Sequence, residues 1–284
     1  VAITGTQAEV TAALVTASSK VVISDATVTV TGVTGSSDLS AITMGGDTTA
    51  NLANNANISD NDVLTTVENF TLETNADVEM TITQHAKLSS GLGTNNTVTI
   101  SEAGAFTMKD YVEAYVLANG QNTVSMGSTT QSVTGGTGVD QISGGSGDNT
   151  ITGGIGFDSL SGGGGIDTFT FSSGDAFTDV DHSNIYETIN DFVSNTDKIA
   201  VGIAIDNFVI ADGSGQFFNA FDTLASASFN GGVDVYVLYD VASSGDGLMA
   251  VDMNSSGTLN TGDLVIKLMG LNADDQILST DFVI

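Results

Sequence analysis

The chain of 284 residues has no proline, cysteine, tryptophan or arginine, and only five lysines against 34 acidic residues. Without cysteine there is no disulfide framework and no thiol nucleophile. A formal charge of −29 leaves no basic patch to neutralise phosphates, so nucleic acid is excluded as a partner. An anionic membrane surface is excluded on the same ground unless a divalent cation bridges the two. The compact state must also recruit counter-ions against its own repulsion. No apolar run approaches the length of a membrane span. No basic n-region precedes an apolar stretch at the start, so there is no signal-peptide pattern. The start at Val1, with no initiator Met, reads as the C-terminal part of a larger protein.

Catalytic sets are missing as well. His85 and His182 are the two histidines and neither belongs to an H-E-x-x-H pair. Gly144-Gly145-Ser146-Gly147-Asp148 approaches G-x-S-x-G but lacks its final glycine. The abundant aspartates could form a carboxylate pair for glycan chemistry. A glycan groove, however, needs aromatic platforms, and Tyr111, Tyr115, Tyr186, Tyr236 and Tyr239 are too scattered to make one. The expectation is a chain without enzymatic activity.

What is present centres on residues 135–170, which read GGTGVDQIS, GGSGDNTIT, GGIGFDSLS and GGGGIDTFT, four nine-residue units in register. The sixth position holds Asp140, Asn149, Asp158 and Asp167, and the eighth Ile142, Ile151, Leu160 and Phe169. This is the G-G-x-G-x-D-x-U-x pattern of a calcium-binding parallel β-helix or β-roll. Six glycine-rich residues turn the chain and surround a hard cation with carbonyls and one carboxylate. Calcium takes six to eight oxygen ligands, so it suits such a turn. The other three residues form a short strand whose middle side chain points inward. A flexible Gly/Ser linker would need no fixed acidic or apolar phase.

Two units complete one coil, so turns eighteen residues apart share an edge: Asp140 with Asp158, and Asn149 with Asp167. At least two calcium ions follow, one between each stacked pair of turns, with Asp148 compensating for the uncharged Asn149. The candidate metal ligands are Gly136, Gly138, Asp140, Gly145, Gly147, Asn149, Gly154, Gly156, Asp158, Gly163, Gly165 and Asp167. A second candidate is the run Asp252 to Asp263. Oxygen-bearing side chains stand at its positions one (Asp252), three (Asn254), five (Ser256) and twelve (Asp263), with Gly257 at six. That is EF-loop spacing, although strands rather than helices are expected on either side, and an Asx-rich hairpin loop reads equally well. Asp175, Asp179, Asp181 and His182 could form a further metal site, but an acidic solvated turn accounts for them more simply.

The nonapeptides resemble those of the RTX proteins. That resemblance implies export through a type I secretion channel, folding outside on meeting calcium, and an extracellular or cell-surface location on a Gram-negative bacterium. The family includes toxins, proteases, lipases, adhesins and surface-layer proteins, so it does not specify the activity. Ile189-Asn190-Asp191-Phe192 and Asp197-Lys198-Ile199 resemble the I-x-D-F…D-K-I passage that closes such rolls, with Asn195-Thr196 where glycine is common. The terminal Asp281-Phe282-Val283-Ile284 is similar to type I export signals. The C-terminal pattern, ending in a D-L-V-I-K-L-x-G run at 263–270, also resembles large RTX surface-layer and adhesin proteins.

The rest of the chain reads as short strands. These are Val21–Ile23, Thr27–Thr31, Val78–Ile82, Thr97–Ile100, Ala105–Met108, Val112–Leu117, Val233–Tyr239, Leu248–Val251 and Leu264–Leu268. The nonapeptide phase persists upstream, with Asn122 and Val124, then Gln131 and Val133, at positions six and eight. Helices are expected at 7–15, as an N-terminal cap, and at 216–225, where Phe217, Phe221 and Leu224 share a face. The fold class is therefore all-β. We expect a right-handed parallel β-helix or β-roll with calcium-binding Gly-rich turns, capped by a small C-terminal strand-rich region with one short helix. A β-sandwich is the alternative. The expected segments are an irregular β-helix over 1–134, a calcium roll over 135–174 continuous with it, and a capping and secretion region over 175–284.

Three functions fit these features: a self-assembling surface-layer component, a fragment of an RTX adhesin, or the calcium-folding export module of a secreted enzyme. The expected cofactor is calcium. The expected partners are further copies of the chain bridged by calcium, cell-surface polysaccharide, and the type I secretion machinery.

Overall fold

The computed structural model describes residues 93–175, 187–214, 232–240, 245–260 and 262–271 without a break. It also describes most of 47–91, the strands alone between 2 and 44, and residues 225, 227–230, 273 and 277–283. Among these the protein is predominantly β, and nearly every strand pairing is parallel. The chain divides into two compact units, residues 1–104 with 109–118, and residues 105–108 with 119–284.

In the first unit, consecutive strands are dealt out to three parallel sheets. Ala2–Gly5, Lys20–Ile23 and Ile42–Met44 form one. Glu9–Thr11, Thr27–Val33, Asp47–Leu52, Asn69–Leu72 and Leu88–Gly91 form the second. Ala56–Asn57, Asp77–Met80, Thr97–Ile100 and Ala114–Val116 lie in the third. Register partners such as Asp77 and Thr97 stand one coil apart. Alternation along each strand sends Leu52, Phe70, Leu72, Met80 and Ile100 into a core where none is measurably exposed.

Two expectations fail in this unit. The helix expected at 7–15 is a strand at Glu9–Thr11, in parallel register with Thr29, Val30 and Thr31. Val10 and Thr11 are β-branched and favour a pleated strand, which outweighs the Ala-rich pattern around them. The strand expected to run to Ile82 stops at Met80, and Ile82–Ala86 is a helix. Thr81 caps it: its hydroxyl accepts from Gln84 N at 3.2 Å while Gln84 Oε1 accepts from Thr81 N at 2.8 Å. This reciprocal capping box is written in the sequence as Thr-x-x-Gln. The helix buries His85, whose Nε2 lies 2.9 Å from the Tyr115 hydroxyl. That hydroxyl also accepts from Lys109 N at 2.9 Å. Burial, then the nearby Lys109, pushes the His85 pKa down to about 4.

In the second unit, three-residue strands alternate between two parallel sheets, so two strands make one coil. Ala105–Thr107, Thr123–Ser125, Gln141–Ser143, Ser159–Ser161 and Glu187–Ile189 stack on one side. Ser132–Thr134, Thr150–Thr152, Thr168–Thr170, Lys198–Ala200 and Phe282–Val283 stack on the other. This arrangement is consistent with a parallel β-roll. The position-eight residues and their register partners form the core: Val124, Ile142, Leu160 and Ile189 on one sheet and Val133, Ile151, Phe169 and Ile199 on the other, all at most 1% exposed. The inward assignment of position eight therefore holds, as does the phase read upstream through Asn122 and Gln131.

The roll ends on a change of direction. Glu187–Ile189 pairs in parallel with Leu264–Leu268, which then pairs antiparallel with Gly247–Val251 and that with Val235–Tyr239. Phe208–Asp212 completes this sheet in parallel. Most of the helix expected at 216–225 lies outside the described residues; Ala225 and 227–230 are helical.

Candidate cation-binding turns

The turns that join the roll strands stack directly on one another. Gly138 N donates to Ile155 O at 2.7 Å, and Ile155 N donates back to Gly136 O at 3.0 Å. On the other edge, Gly164 N donates to Gly145 O at 2.9 Å. The approach leaves no room for side chains: a Cβ on Gly145 would lie 1.4 Å from the Gly127 carbonyl oxygen. Gly154 and Gly163, both at position two, hold φ of +95° and +87°, a region that L side chains resist. Gly136, Gly138, Gly154 and Gly156 thus lie on one edge with Asp140 and Asp158. Gly145, Gly147, Gly163 and Gly165 lie on the other with Asn149 and Asp167. Asp148 is exposed, and its Oδ1 accepts from Ile166 N at 2.7 Å, which ties it to the next turn.

The sixth-position side chains point inward. Asn122, Gln131, Asp140, Asn149, Asp158 and Asp167 are all at most 2% exposed. They form two ladders in which Asp140, Asn149, Asp158 and Asp167 each accept the backbone N–H of the counterpart one coil earlier, while Gln131 Oε1 accepts from Gly127 N in its own turn. On one edge Asn122 N donates to Asp140 Oδ1 at 2.8 Å, Asp140 N to Asp158 Oδ1 at 2.7 Å, and Asp158 N to Glu187 Oε2 at 3.2 Å. On the other, Gln131 N donates to Asn149 Oδ1 at 3.1 Å, Asn149 N to Asp167 Oδ1 at 2.8 Å, and Asp167 N to Asp197 Oδ1 at 3.0 Å.

Glu187 and Asp197 were not among the expected ligands. Each stands immediately before the residue that pairs with Ser159 or Thr168, the place that Asp158 and Asp167 hold in their own units. The D-K-I passage marked Asp197, whereas nothing in the nonapeptide period marks Glu187. Asp191 was not expected either: it caps the end of the second edge, accepting from Gly162 N at 2.8 Å and Gly163 N at 2.9 Å.

One oxygen of each rung on the first edge is used by the ladder, and the other is not. Asp140 Oδ2, Asp158 Oδ2 and Glu187 Oε1 are buried with no hydrogen-bond partner, as is Asn149 Nδ2. Burial, and then neighbouring carboxylates, raise the Asp158 pKa to about 7 and that of Glu187 to about 9. Burial likewise raises Asp167 to about 6, with Asp197, Asp191 and Asp148 adding to it. Ionised carboxylates in such positions are costly unless a positive charge joins them. The turn carbonyls and the carboxylates of Asp140, Asp158 and Asp167 are oxygen ligands that suit a hard cation, although the Asn122 and Asn149 Nδ2 groups also lie in the ladders. Among the described residues no three His, Cys, Asp or Glu side chains converge as a metal-holding group. A cation here would therefore rest on turn carbonyls with one or two carboxylates, and on those terms the residues fit calcium.

The run 252–263 closes on itself. Asp252 accepts from Ser256 N at 3.0 Å and Gly257 N at 2.9 Å, and Asp263 from Met253 N at 3.0 Å and Asn260 N at 2.8 Å. Asn254 Oδ1 also accepts from Ser256 N, and Ser256 Oγ donates to Thr258 O at 2.8 Å. Asp252, Asn254, Ser256 and Asp263 are thus brought into one Asx-rich loop between antiparallel strands, as the hairpin reading expects. Asp263 is 1% exposed, and burial raises its pKa to about 6. Of the acidic cluster after the repeats only Asp175 is described; Asp179, Asp181 and His182 lie outside the described residues.

Among the described residues no helix is long and apolar enough to cross a membrane. No protein-family model matches the chain, and no curated protein is similar to it at a significant level.

Proposed function

We propose that this protein is a calcium-dependent structural component of a bacterial cell surface, a self-assembling surface-layer protein of RTX type exported by type I secretion. The observation that carries the reading is the pair of buried sixth-position ladders, the first of which holds carboxylate oxygens without a hydrogen-bond partner. Calcium would supply positive charge to these oxygens and to the carbonyls of the facing turns. Gly136, Gly138, Asp140, Gly154, Gly156 and Asp158 would hold it on one edge. Gly145, Gly147, Asn149, Gly163, Gly165 and Asp167 would hold it on the other.

The chain's own residues make this a folding switch. Where free calcium is scarce, the rungs repel and the glycine-rich turns oppose collapse through their conformational entropy. The chain then stays extended enough for a secretion channel. Outside, a cation that binds only the stacked form draws the equilibrium to the folded side by mass action. Repetition favours a structural role, because every coil presents the same faces. Acidic faces on neighbouring copies repel until a divalent cation bridges them, so calcium would act between copies as well as within them.

The test is a calcium titration of the purified chain followed by light scattering and electron microscopy. Ordered sheets or regular oligomers at extracellular calcium levels are expected. Compaction to a monomer that never assembles would overturn the surface-layer role in favour of an adhesin or export module. A chain that neither folds nor assembles with calcium would overturn the whole reading.

A further inference from the structure

The C-terminal sheet ends on a strand whose sequence is that of an interior one. Val235–Tyr239, Gly247–Val251 and Leu264–Leu268 are buried along almost their whole length. Phe208–Asp212 lies beside them as the last strand of the sheet, paired with Val235–Tyr239 alone. It reads Phe-Val-Ile-Ala-Asp, with Phe208 and Ile210 on one face and Val209 and Ala211 on the other. A run apolar on both faces belongs to a strand inside a covered sheet. Here all four apolar residues are only half-buried. Exposed edges are commonly blunted by lysine, proline or a bulge. This strand has neither residue, and its register against Val235–Tyr239 is unbroken.

Backbone alternation sets which groups face outward. Asn207 O accepts from Asp234 N at 2.9 Å, and Gly213 N donates to Tyr239 O at 2.8 Å, so the odd-numbered residues turn toward the inner partner. Phe208, Ile210 and Asp212 therefore direct their N–H and C=O groups away from it. Among the described residues no strand pairs with that side. We infer that this edge joins two copies of the chain, each laying its Phe208–Asp212 strand antiparallel to the other's about a two-fold axis at Ile210. The inference rests on the reading that copies of the chain associate, and supplies a junction that needs no calcium between them.

The strand is complementary to itself in one register. With Ile210 opposite Ile210, Phe208 falls opposite Asp212, Val209 opposite Ala211, and Asp206 opposite Ser214. Outward-facing residues then meet outward-facing residues and can exchange both N–H···O=C bonds. No acid faces an acid. Centring the axis on Val209 would set Asp206 against Asp212, a like-charge pair. Centring it on Ala211 would leave Phe208 and Val209 opposite Ser214 and Gly213. At a net charge of −29, two copies repel wherever acidic surfaces meet, so an apolar edge that keeps its acids apart is suited to a second copy. A two-fold contact of this kind uses the same patch on both partners and closes as a dimer.

The chain has no cysteine, so a single introduced thiol reports on one place. Ile210→Cys would set the thiols of two copies opposite each other, with Cα atoms about 5.5 Å apart. Ser214→Cys would set them roughly 27 Å apart. Both variants of the whole chain are oxidised in calcium, and the parent and Ile210→Lys are compared by sedimentation velocity. Ile210→Cys is expected to give a covalent dimer and Ser214→Cys none. Ile210→Lys, at a half-buried position, is expected to fold at the parent's calcium level and to lose the parent's dimer. If it does not fold, the two cysteine variants still decide. Equal cross-linking at both positions, or none at Ile210→Cys, overturns the contact. Ordered sheets formed by the parent and by Ile210→Lys alike also overturn it and leave the surface-layer reading standing. A covalent Ile210→Cys dimer from a chain that never forms sheets supports the contact and counts against the surface-layer role. A parent that stays monomeric at every concentration overturns both.

Discussion

Substituting Asp158 by Asn should change sign with metal. The Asn Oδ1 keeps the role of accepting Asp140 N, held at 2.7 Å by Asp158 Oδ1, while the partnerless Oδ2 is replaced by an uncharged group. In the metal-free chain, burial first and then Asp140 and Asp175 hold the Asp158 pKa at about 7, against an ordinary 3.8. A raised folded-state pKa means stability that is complete below the unfolded pKa and is lost as pH rises through the folded one. Across that window the parent loses up to ~4 kcal/mol by pH 7 through this one group. Asn has no such loss. The metal-free variant should therefore be the more stable at pH 7 by up to ~4 kcal/mol, roughly 8–16 °C in Tm for a protein of this size. The gap should shrink to about 1 kcal/mol or less near pH 4. His85 works the other way: its folded pKa is depressed to about 4, so its contribution is present above its ordinary 6.5 and is lost on acidification. Taking the difference between parent and variant at each pH cancels that effect. In saturating calcium the order should reverse, because the variant has lost a ligand charge. The assay is thermal denaturation of both proteins between pH 4 and 8, in metal-stripped buffer and in calcium. A variant no more stable than the parent at pH 7 without metal, or a gap that does not shrink with acid, would refute the reasoning.

Replacing Ile151 by Ala, at a fully buried position stacked between Val133 and Phe169, should cost ~2–5 kcal/mol by leaving a cavity. Chemical denaturation in calcium measures it, and a loss below about 1 kcal/mol would contradict the inward stacking. Gly145→Ala places its Cβ 1.4 Å from the Gly127 carbonyl oxygen, so the coils at that turn should separate. Hydrogen exchange should then show lost protection at 123–125 and 141–143, which pair across that contact, and unchanged exchange would contradict the close stacking. Tyr115→Phe removes the hydroxyl that serves both His85 and Lys109 N and should cost ~1–3 kcal/mol in calcium and in chelator alike. A Tm drop that appears only without calcium would contradict its assignment as a purely structural contact.

The parts of the fold legible in the sequence are those fixed by strict period. Nine residues per half-coil place position eight inside and position six at the mouth of each strand. Ile142, Ile151, Leu160 and Phe169, and the rungs Asp140, Asn149, Asp158 and Asp167, therefore fall where the spacing puts them. The same phase carried Asn122 and Gln131 into the ladders after their glycines had gone. Where the period breaks, legibility ends. Glu187 is separated from its repeat-equivalent neighbour Asp158 by 29 residues rather than 18, so only the three-dimensional pairing reveals it. The strand at Glu9–Thr11 is set by pairing with residues 29–31, a non-local contact that an Ala-rich helical pattern does not register. The helix at Ile82–Ala86 is different, because its Thr81-to-Gln84 capping box is local and readable, and the alternation of Val78, Met80 and Ile82 masked the signal. Asp191 acts through its side chain on a turn 28 or 29 residues away, which no spacing rule anticipates.

The most direct test of the central claim is hydrogen exchange on the metal-depleted chain across a calcium titration. The account predicts that amides of strands 141–143, 150–152, 159–161 and 168–170 exchange faster in chelator at neutral pH than in calcium and gain protection together as calcium rises. Full protection of these strands in chelator, unchanged by calcium, would contradict it.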